Sequence, residues 1–219
     1  MPAAPSLKPP SPRLYAILDV DVCAVRGLNA REVLHDWLDA GVLLIQLRAK
    51  QLPSGSFLDL AEALAESAQA AGATLIVNDR ADIARLAGAS GVHVGQTDLT
   101  PADARLVVGE SATVGVSTHN DEQVRVTLGE PVDYVAIGPV FPTASKDRPD
   151  PVVGLDGVRR ARDIVASSGR PLVAIGGITL ERARSVIDAG ADSIAVIADL
   201  LAGEPRARAR AFLRAVQEP

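Results

Sequence analysis

From Arg13 onward, short apolar runs alternate with longer stretches of helical periodicity. The apolar runs are rich in Val, Ile and Leu, which is typical of strands buried on both faces. They lie at 14–19, 42–48, 74–79, 91–95, 113–117, 134–141, 171–177 and 193–198. The stretches that predict helices lie at about 29–40, 54–71, 80–88, 101–108, 120–129, 155–168, 180–189 and 205–217. Eight strands alternating with eight helices predict a parallel sheet that closes into a single-domain (β/α)8 TIM barrel.

Local signals support this pattern. Thr100 before Pro101, and Asn120 before an acidic turn, predict helix N-caps. The alternative fold is a doubly wound open sheet, which more often shows a GxGxxG turn after an early strand; the chain has none. We assign residues 1–12, which are Pro-rich, to a disordered tail and residues 13–219 to the barrel.

Composition narrows the classes of function. The net charge of −5 argues against general nucleic-acid binding, so an anionic ligand must be bound by local cations. A single cysteine excludes an intrachain disulfide and a cysteine-rich zinc site. No apolar run approaches the roughly 18 residues of a membrane span, and the first residues lack the apolar core of a secretory signal. We therefore expect a cytoplasmic protein without a membrane partner; a monomer and a homodimer both fit the sequence.

Polar side chains gather at the predicted carboxyl ends of the strands, where the active sites of barrels lie. In "LLIQLRAKQ" (43–51), Gln46, Arg48 and Lys50 occupy alternate positions. In an extended chain these side chains lie on one face, so they would present cations to an anion at the barrel mouth. The alternative is that the charges are solvated at a loop, with Arg48 paired to a core carboxylate.

Two carboxylates, Asp79 and Asp98, follow the third and fourth predicted strands. Asp79 could instead be the N-cap of the next helix, whereas Thr100 already occupies the cap position after Asp98. Without a His or Cys cluster nearby, the pair suits Mg²⁺, which binds through one or two carboxylates together with substrate phosphates. The sequence therefore predicts Mg²⁺ bridging a diphosphate.

Gly176-Gly177 and Ile197-Ala198 follow the last two predicted strands. Barrels commonly bind phosphate there through backbone N–H groups, although a tight glycine turn explains the glycines equally well. Of the histidines, His93 is interpreted as a hydrogen-bonded polar residue near the mouth. His119 is placed either within reach of the site or at a helix start.

Seven separated motifs, in order, resemble the thiamine phosphate synthase family over about residues 13–217. They are "QLRAK" (46–50), "VNDRADIA" (77–84), "GVHVGQTDL" (91–99), "GVSTH" (115–119), "DYVAIGPVFPTASK" (133–146), "VAIGGIT" (173–179) and "GADSIAVIADL" (190–200). The resemblance implies a (β/α)8 barrel that joins a hydroxymethylpyrimidine diphosphate to a thiazole phosphate, giving thiamine phosphate and diphosphate.

The resemblance also implies roles for matching positions. The pyrimidine diphosphate would be held by Gln46, Leu47, Arg48, Ala49, Lys50, Asn78, Ser117 and Lys146, and the thiazole phosphate by Thr143, Ala144, Ser145, Gly177, Ile197 and Ala198. Asp79 and Asp98 would bind Mg²⁺. Arg48, Lys50, Ser117 and Lys146 are the expected catalytic residues, with the cations stabilising the departing diphosphate in a dissociative substitution.

The chain departs from the family pattern at three positions. Ser145 stands where the family often has Thr, Ala198 where it usually has Ser, and Leu18 where it usually has Thr. Two alternative functions remain. One is a thiazole tautomerase that uses His119 as a base, and the other is a non-catalytic barrel that binds a phosphorylated metabolite, for which Ala198 is the only hint.

Overall fold

A computed structural model describes residues 12–143 and 150–217. Its eight parallel strands close into a barrel in which each strand pairs with the next and β8 pairs with β1. The strands are β1 (Leu14–Asp19), β2 (Leu44–Arg48), β3 (Thr74–Asn78), β4 (Gly91–Val94), β5 (Thr113–Thr118), β6 (Tyr134–Ile137), β7 (Leu172–Ile175) and β8 (Ser193–Val196). The predicted (β/α)8 barrel is confirmed, and the open-sheet alternative is wrong.

The helices surround the barrel. They are α1 (Val20–Val25), α2 (Ala30–Ala40), α3 (Ser54–Ala70), α4 (Ala81–Leu86), α5 (Pro101–Val108), α6 (Asp121–Thr127), α7 (Gly154–Val165), α8 (Leu180–Asp188) and α9 (Pro205–Gln217), with a short 3-10 turn at 166–168 after α7. The pattern along the chain predicted all of them except α1. That helix has only six residues and contains three valines, so its sequence resembles a continuing strand. The Asp19 carboxylate begins it by accepting hydrogen bonds from the N–H groups of Asp21 and Val22.

The capping predictions have mixed outcomes. Thr100 Oγ1 accepts the N–H of Asp103 at 3.1 Å and Asn120 Oδ1 accepts the N–H of Gln123 at 2.9 Å, so both predicted N-caps are confirmed. Asp79 does not cap α4, because Arg80 is the residue before that helix. Asp79 has a φ of +62°, in the left-handed region, and its carboxylate is directed to Lys50.

The strands bury side chains on both faces. The outward-facing side chains pack against the helices in a large apolar shell that includes Leu47 and Ala49. The inward-facing ones form a smaller cluster inside the barrel: Tyr15, Ile17, Leu44, Ile76, Tyr134, Ala136, Val173 and Ala195. Several members of the inner cluster form the floor of the cavity described below, so the barrel interior is both core and site.

Some predictions fall outside the described residues. These are the tail, of which only Pro12 is described, and Ala144, Ser145 and Lys146 in the loop after β6. Among the described helices, none is long and apolar enough to cross a membrane.

Candidate active site

A cavity of about 460 Å³ opens at the carboxyl ends of the strands. This volume is within the range of small-molecule sites. The predicted site residues that line it are Gln46, Arg48, Asn78, Ser117, Thr143, Gly177, Ile197 and Ala198. The barrel therefore gathers groups from three of its strands, β2, β3 and β5, and from the loops after β6, β7 and β8, around one space.

The side of the mouth after β1–β4 carries paired charges, and we call Asp19, Arg48, Lys50, Asp79 and Asp98 the carboxylate side. Arg48 is ion-paired to Asp19, whose side chain is 2% exposed. In the β1–β2 register, Asp19 and Arg48 stand directly opposite each other. The interpretation that Arg48 pairs with a core carboxylate is thus confirmed, yet Arg48 also lines the cavity.

Lys50 lies beyond the end of β2, so the strand alternation does not extend to it. Its ammonium group is ion-paired to Asp79 and its side chain is 47% exposed. Its backbone N–H donates to Asp21 Oδ2 at 3.1 Å. Of the predicted row, Gln46 and Arg48 line the cavity, whereas Lys50, like Asp79 and Asp98, is not among its lining residues. The neighbouring Leu47 and Ala49 point away into the outer shell, so among the described atoms only their backbone could serve a ligand.

Asp79 and Asp98 are adjacent on this side. Burial raises the pKa of the Asp79 carboxyl, Lys50 opposes that rise, and the charge of Asp98 adds to it. Asp98 Oδ2 also accepts the N–H of Gly95 at 2.8 Å, which fixes its orientation. Two neighbouring carboxylates, where the charge of Asp98 raises the pKa of Asp79, form a favourable site for a cation.

The donor set fits Mg²⁺. Within the described residues, no group of three or more His, Cys, Asp or Glu side chains is placed to hold a metal ion. A two-carboxylate site leaves most coordination positions to phosphate oxygens and water, as Mg²⁺ prefers. Asp79 and Asp98 would be its protein ligands.

Hydrogen-bonded polar side chains connect the floor of the cavity. Gln46 Nε2 donates to the Tyr15 hydroxyl at 2.9 Å, and that hydroxyl is 2.9 Å from the Tyr134 hydroxyl. His93 Nδ1 lies 2.8 Å from the Tyr134 hydroxyl, and His93 Nε2 lies 2.8 Å from Ser117 Oγ. His93 is buried and hydrogen-bonded, as its sequence context predicted.

The opposite side of the mouth is built mainly from backbone. We call Gly176, Gly177, Ile197 and Ala198, with Arg26 and Arg182, the glycine side. Both glycines have positive φ, at +100° and +65°. A Cβ on Gly177 would lie 2.5 Å from the Pro142 carbonyl oxygen, so only glycine allows the loops after β6 and β7 to approach this closely.

Two arginines of the glycine side were not foreseen from the sequence. Arg26 donates to the Ala198 carbonyl at 2.9 Å, while Arg182 donates to the Gly177 carbonyl at 3.1 Å and lies 4.6 Å from the centre of the Phe141 ring. Both line the cavity. Neither forms an ion pair with a carboxylate within residues 12–143 and 150–217.

His119 also lines the cavity. This agrees with the first of its two predicted placements, within reach of the site. Its Nδ1–H donates to the Gly138 carbonyl at 2.6 Å, and its Nε2 lies 3.4 Å from an Asp150 carboxylate oxygen. Both ring nitrogens therefore face acceptors. This arrangement suits a donor and disfavours the base that a tautomerase would need.

Tyr15, Tyr134 and Asp19 were also missed as site residues. The chain has two tyrosines, and each is in a strand, two positions before another inward-facing residue: Tyr15 before Ile17 and Tyr134 before Ala136. The signal in the sequence that could have identified the tyrosines as site residues was the placing of two hydroxyl groups at inward-facing strand positions. Asp19 was noted only as the end of the first strand, with no role.

Comparisons with known proteins agree with this geometry. The sequence profile described as thiamine monophosphate synthase matches residues 14–200. The chain is 52% identical over 206 residues to the thiamine-phosphate synthase of Koribacter versatilis, covering 93% of this chain and 95% of that relative. It is 37% identical over 204 residues to the thiamine-phosphate synthase of Chloroflexus aurantiacus, covering 93% and 92% of the two chains.

Among solved structures, a thiamine phosphate pyrophosphorylase from Pyrococcus furiosus superposes with a TM-score of 0.82 at 30% identity. The match covers 94% of this chain and 96% of that one. An orotidine 5'-phosphate decarboxylase from Pyrococcus horikoshii, with a TM-score of 0.67 and 20% identity, shares the fold alone.

Proposed function

The chain belongs to the thiamine monophosphate synthase family and is a transferase, and from this premise we propose its substrates and mechanism. It joins 4-amino-2-methyl-5-hydroxymethylpyrimidine diphosphate to a thiazole phosphate and releases diphosphate. The observation that carries the proposal is that Arg48, from the carboxylate side, lines the same cavity as the residues of the glycine side. Two phosphorylated substrates need two anion sites, and the two sides supply them by different means.

The reaction that fits these groups is a dissociative substitution. The bond between the pyrimidine methylene carbon and the diphosphate oxygen breaks, and the electron pair leaves with diphosphate. The thiazole nitrogen then donates its lone pair to that carbon and forms the new C–N bond. No proton transfer is strictly required, which suits a site in which most titratable groups are already paired.

The carboxylate side would stabilise the departing diphosphate. Negative charge grows on its oxygens during bond breaking, so cations already fixed in place lower the barrier. Arg48 is oriented by Asp19 and Lys50 by Asp79. Mg²⁺ held by Asp79 and Asp98 would supply further charge neutralisation. Lys146, expected in the same role, lies outside the described residues and stays a prediction.

The glycine side would hold the thiazole phosphate. Gly177 and Ala198 line the cavity, and Arg26 and Arg182 bring two cations to the same wall. Thr143 lines the cavity as well, whereas Ala144 and Ser145 are not described. The floor, with Gln46, Asn78 and Ser117, would orient the aminopyrimidine ring. A cytoplasmic location, a homodimer and the disordered tail stay predictions.

The direct test mixes the purified protein with the pyrimidine diphosphate, a thiazole phosphate and Mg²⁺, and measures thiamine phosphate and diphosphate. Both the carboxylated and the decarboxylated thiazole are supplied in separate reactions. We expect equal amounts of both products, only when both substrates are present. Absence of thiamine phosphate under all these conditions would rule out the proposed condensation.

The metal assignment has its own test. Asp98→Ala should abolish turnover while the far-ultraviolet circular dichroism stays unchanged, and EDTA should do the same to the unaltered protein. The matched control is Asp82→Ala, because Asp82 pairs with Arg80 on an exposed surface outside the cavity. Full activity of Asp98→Ala, or full activity in EDTA, would contradict the assignment.

A further inference from the structure

One chain of hydrogen bonds runs across the barrel floor and joins five strands. It begins at Gln46 on β2 and passes through Tyr15 on β1, Tyr134 on β6 and His93 on β4 to Ser117 on β5. Each step spans 2.8–2.9 Å. Gln46, Tyr15, His93 and Ser117 line the cavity, and of the five residues only Ser117, at the end, is half-buried while the others are buried.

Counting donors gives the chain a direction. Gln46 Nε2 carries only hydrogens, so the Tyr15 oxygen accepts from it. The Tyr15 hydrogen must then be donated to Tyr134, which is its other described partner. The Tyr134 hydrogen is in turn donated to His93 Nδ1. A neutral imidazole with an accepting Nδ1 carries its proton on Nε2.

We propose that this chain fixes His93 as the Nε2–H tautomer, which donates to Ser117 Oγ and turns the Ser117 hydroxyl hydrogen toward the substrate. Ser117 then serves as a donor to an acceptor atom, such as a ring nitrogen of an aminopyrimidine, and not as an acceptor from an amine. Tyr134 and His93 are positioning residues that act through Ser117. The identity of the substrate rests on the proposed function; the tautomer does not.

The opposite direction leaves a buried group unpaired. If His93 Nδ1–H donated to Tyr134, the Tyr134 hydrogen would be donated to Tyr15. The Tyr15 hydrogen would then face the Gln46 amide nitrogen, which is itself a donor, and a buried hydroxyl without an acceptor is costly. Burial raises the pKa of both tyrosines, so both phenols keep the hydrogens that the direction requires.

The fold holds Tyr134, in the middle of the hydrogen-bond chain, in place. The Tyr134 ring stacks on His93 with 5.6 Å between ring centres and meets Tyr15 edge to face at 5.9 Å. A Cβ on Gly115 would lie 1.9 Å from Cζ of Tyr134, so β5 leaves this space for the phenol. Because packing fixes the ring, removing its hydroxyl should change hydrogen bonding without moving the ring.

The tautomer can be read directly from the ligand-free protein by ¹⁵N NMR with labelled histidine. The protein has three histidines. The resonances of His93 are assigned as those that disappear in the variant His93→Gln. We expect a protonated, pyrrole-type Nε2 and an unprotonated, pyridine-type Nδ1. A protonated Nδ1, alone or with Nε2, would overturn the proposal, and the first case would mean that the Gln46 amide presents its oxygen to Tyr15.

The matched variants are Tyr134→Phe and Tyr15→Phe, which each remove one hydroxyl from the same chain. Tyr134→Phe should give a mixture of His93 tautomers and lower kcat about tenfold, the equivalent of one net hydrogen bond. Tyr15→Phe should perturb the His93 resonances less, because Tyr134 keeps its hydroxyl. An unchanged tautomer in Tyr134→Phe would contradict the proposal, whatever happens to kcat. If the proposed function failed, no variant would make product, yet the resonances would still report the tautomer.

Discussion

The two sides of the cavity mouth bind anions by different physical means. On the carboxylate side, Arg48 and Lys50 are each paired to an aspartate before any substrate arrives. On the glycine side, Arg26 and Arg182 donate to backbone carbonyls, and Gly177 allows the loops after β6 and β7 to approach each other closely. The first side depends on balanced charges and the second on close approach. Each should therefore fail in its own way when altered.

Asp19→Asn should have the largest effect, a loss of folding stability, because it leaves Arg48 without its charge partner. The substitution removes the negative charge of Asp19 and changes little else. Asn keeps an oxygen for the N–H groups of Asp21 and Val22 and is an equally good N-cap. Arg48, with a side chain only 20% exposed, loses its partner. Breaking a buried ion pair in this way should lower the free energy of unfolding by about 3 kcal/mol, measured by urea denaturation.

The control for this variant is Asp82→Asn, which breaks the exposed pair with Arg80. Exposed pairs contribute little, so the change should stay below about 1 kcal/mol. If the two variants lost equal free energies of unfolding, the Asp19–Arg48 pair would contribute no more to stability than an exposed pair does.

Gly177→Ala tests close approach on the glycine side. The added Cβ would meet the Pro142 carbonyl oxygen at 2.5 Å and Cβ of Phe141 at 2.8 Å. Displacing a substrate-binding loop by about 1 Å can lower the rate about a hundredfold, so we expect a loss of that order in kcat/KM for the thiazole phosphate.

Gly169→Ala is the matched control, because Gly169 has nearly the same φ, at +68°, with nothing within 4 Å of its Cβ position. Both variants place alanine in the left-handed region, and only one adds a clash. Steady-state kinetics of the two should therefore differ sharply. If Gly169→Ala were as impaired, backbone strain and not close approach would explain the result.

Asp79→Asn addresses the like-charged pair. Asn tolerates the left-handed φ of this position, so the backbone should be preserved. We expect the stabilisation of the protein by Mg²⁺ with diphosphate to need about thirtyfold more metal, the equivalent of about 2 kcal/mol for one lost charged contact. Thermal melts in a magnesium titration measure it, and an unchanged titration would count against Asp79 as a ligand.

The same variant has a pH signature. Because the pKa of Asp79 is raised, the folded state holds this proton more tightly than the unfolded chain does. This proton therefore contributes to the free energy of unfolding. The contribution is fully present below 3.8, the usual pKa of Asp, and is lost as the pH rises through the raised pKa of Asp79 in the folded state. Without Mg²⁺, the wild type should therefore lose stability relative to Asp79→Asn across that rise. The opposite slope in acid-range melts would show that Lys50 dominates.

Ala198→Ser gives the smallest expected effect. It adds one hydroxyl to the glycine side, at a position that lines the cavity beside Arg26. One added hydrogen bond contributes about 1 kcal/mol net, so KM for the thiazole phosphate should fall about fivefold. Ala70→Ser at the exposed end of α3 is the control and should leave KM unchanged. A KM unaffected by Ala198→Ser would mean that backbone and arginines already satisfy the phosphate.

The sequence predicted the barrel well because hydrophobic alternation and capping are local properties. Thr100 and Asn120 cap as expected, since their partners lie three residues away. Asp79 shows the limit: its local context allowed an N-cap, but in the structure its carboxylate is paired with the distant Lys50 and lies beside Asp98. Lys50 was placed on a strand face that ends two residues earlier, at Arg48.

The amino-acid sequence by itself determined the eight-fold alternation of strands and helices, and therefore which end of the barrel collects the polar side chains. Only the tertiary structure decided which of those side chains are partners. Asp19 faces Arg48 through the register of two strands, and the Tyr15 and Tyr134 hydroxyls, 119 residues apart, meet across the barrel interior. Register and closure depend on how all eight strands pack together, so no local pattern in the chain can fix them.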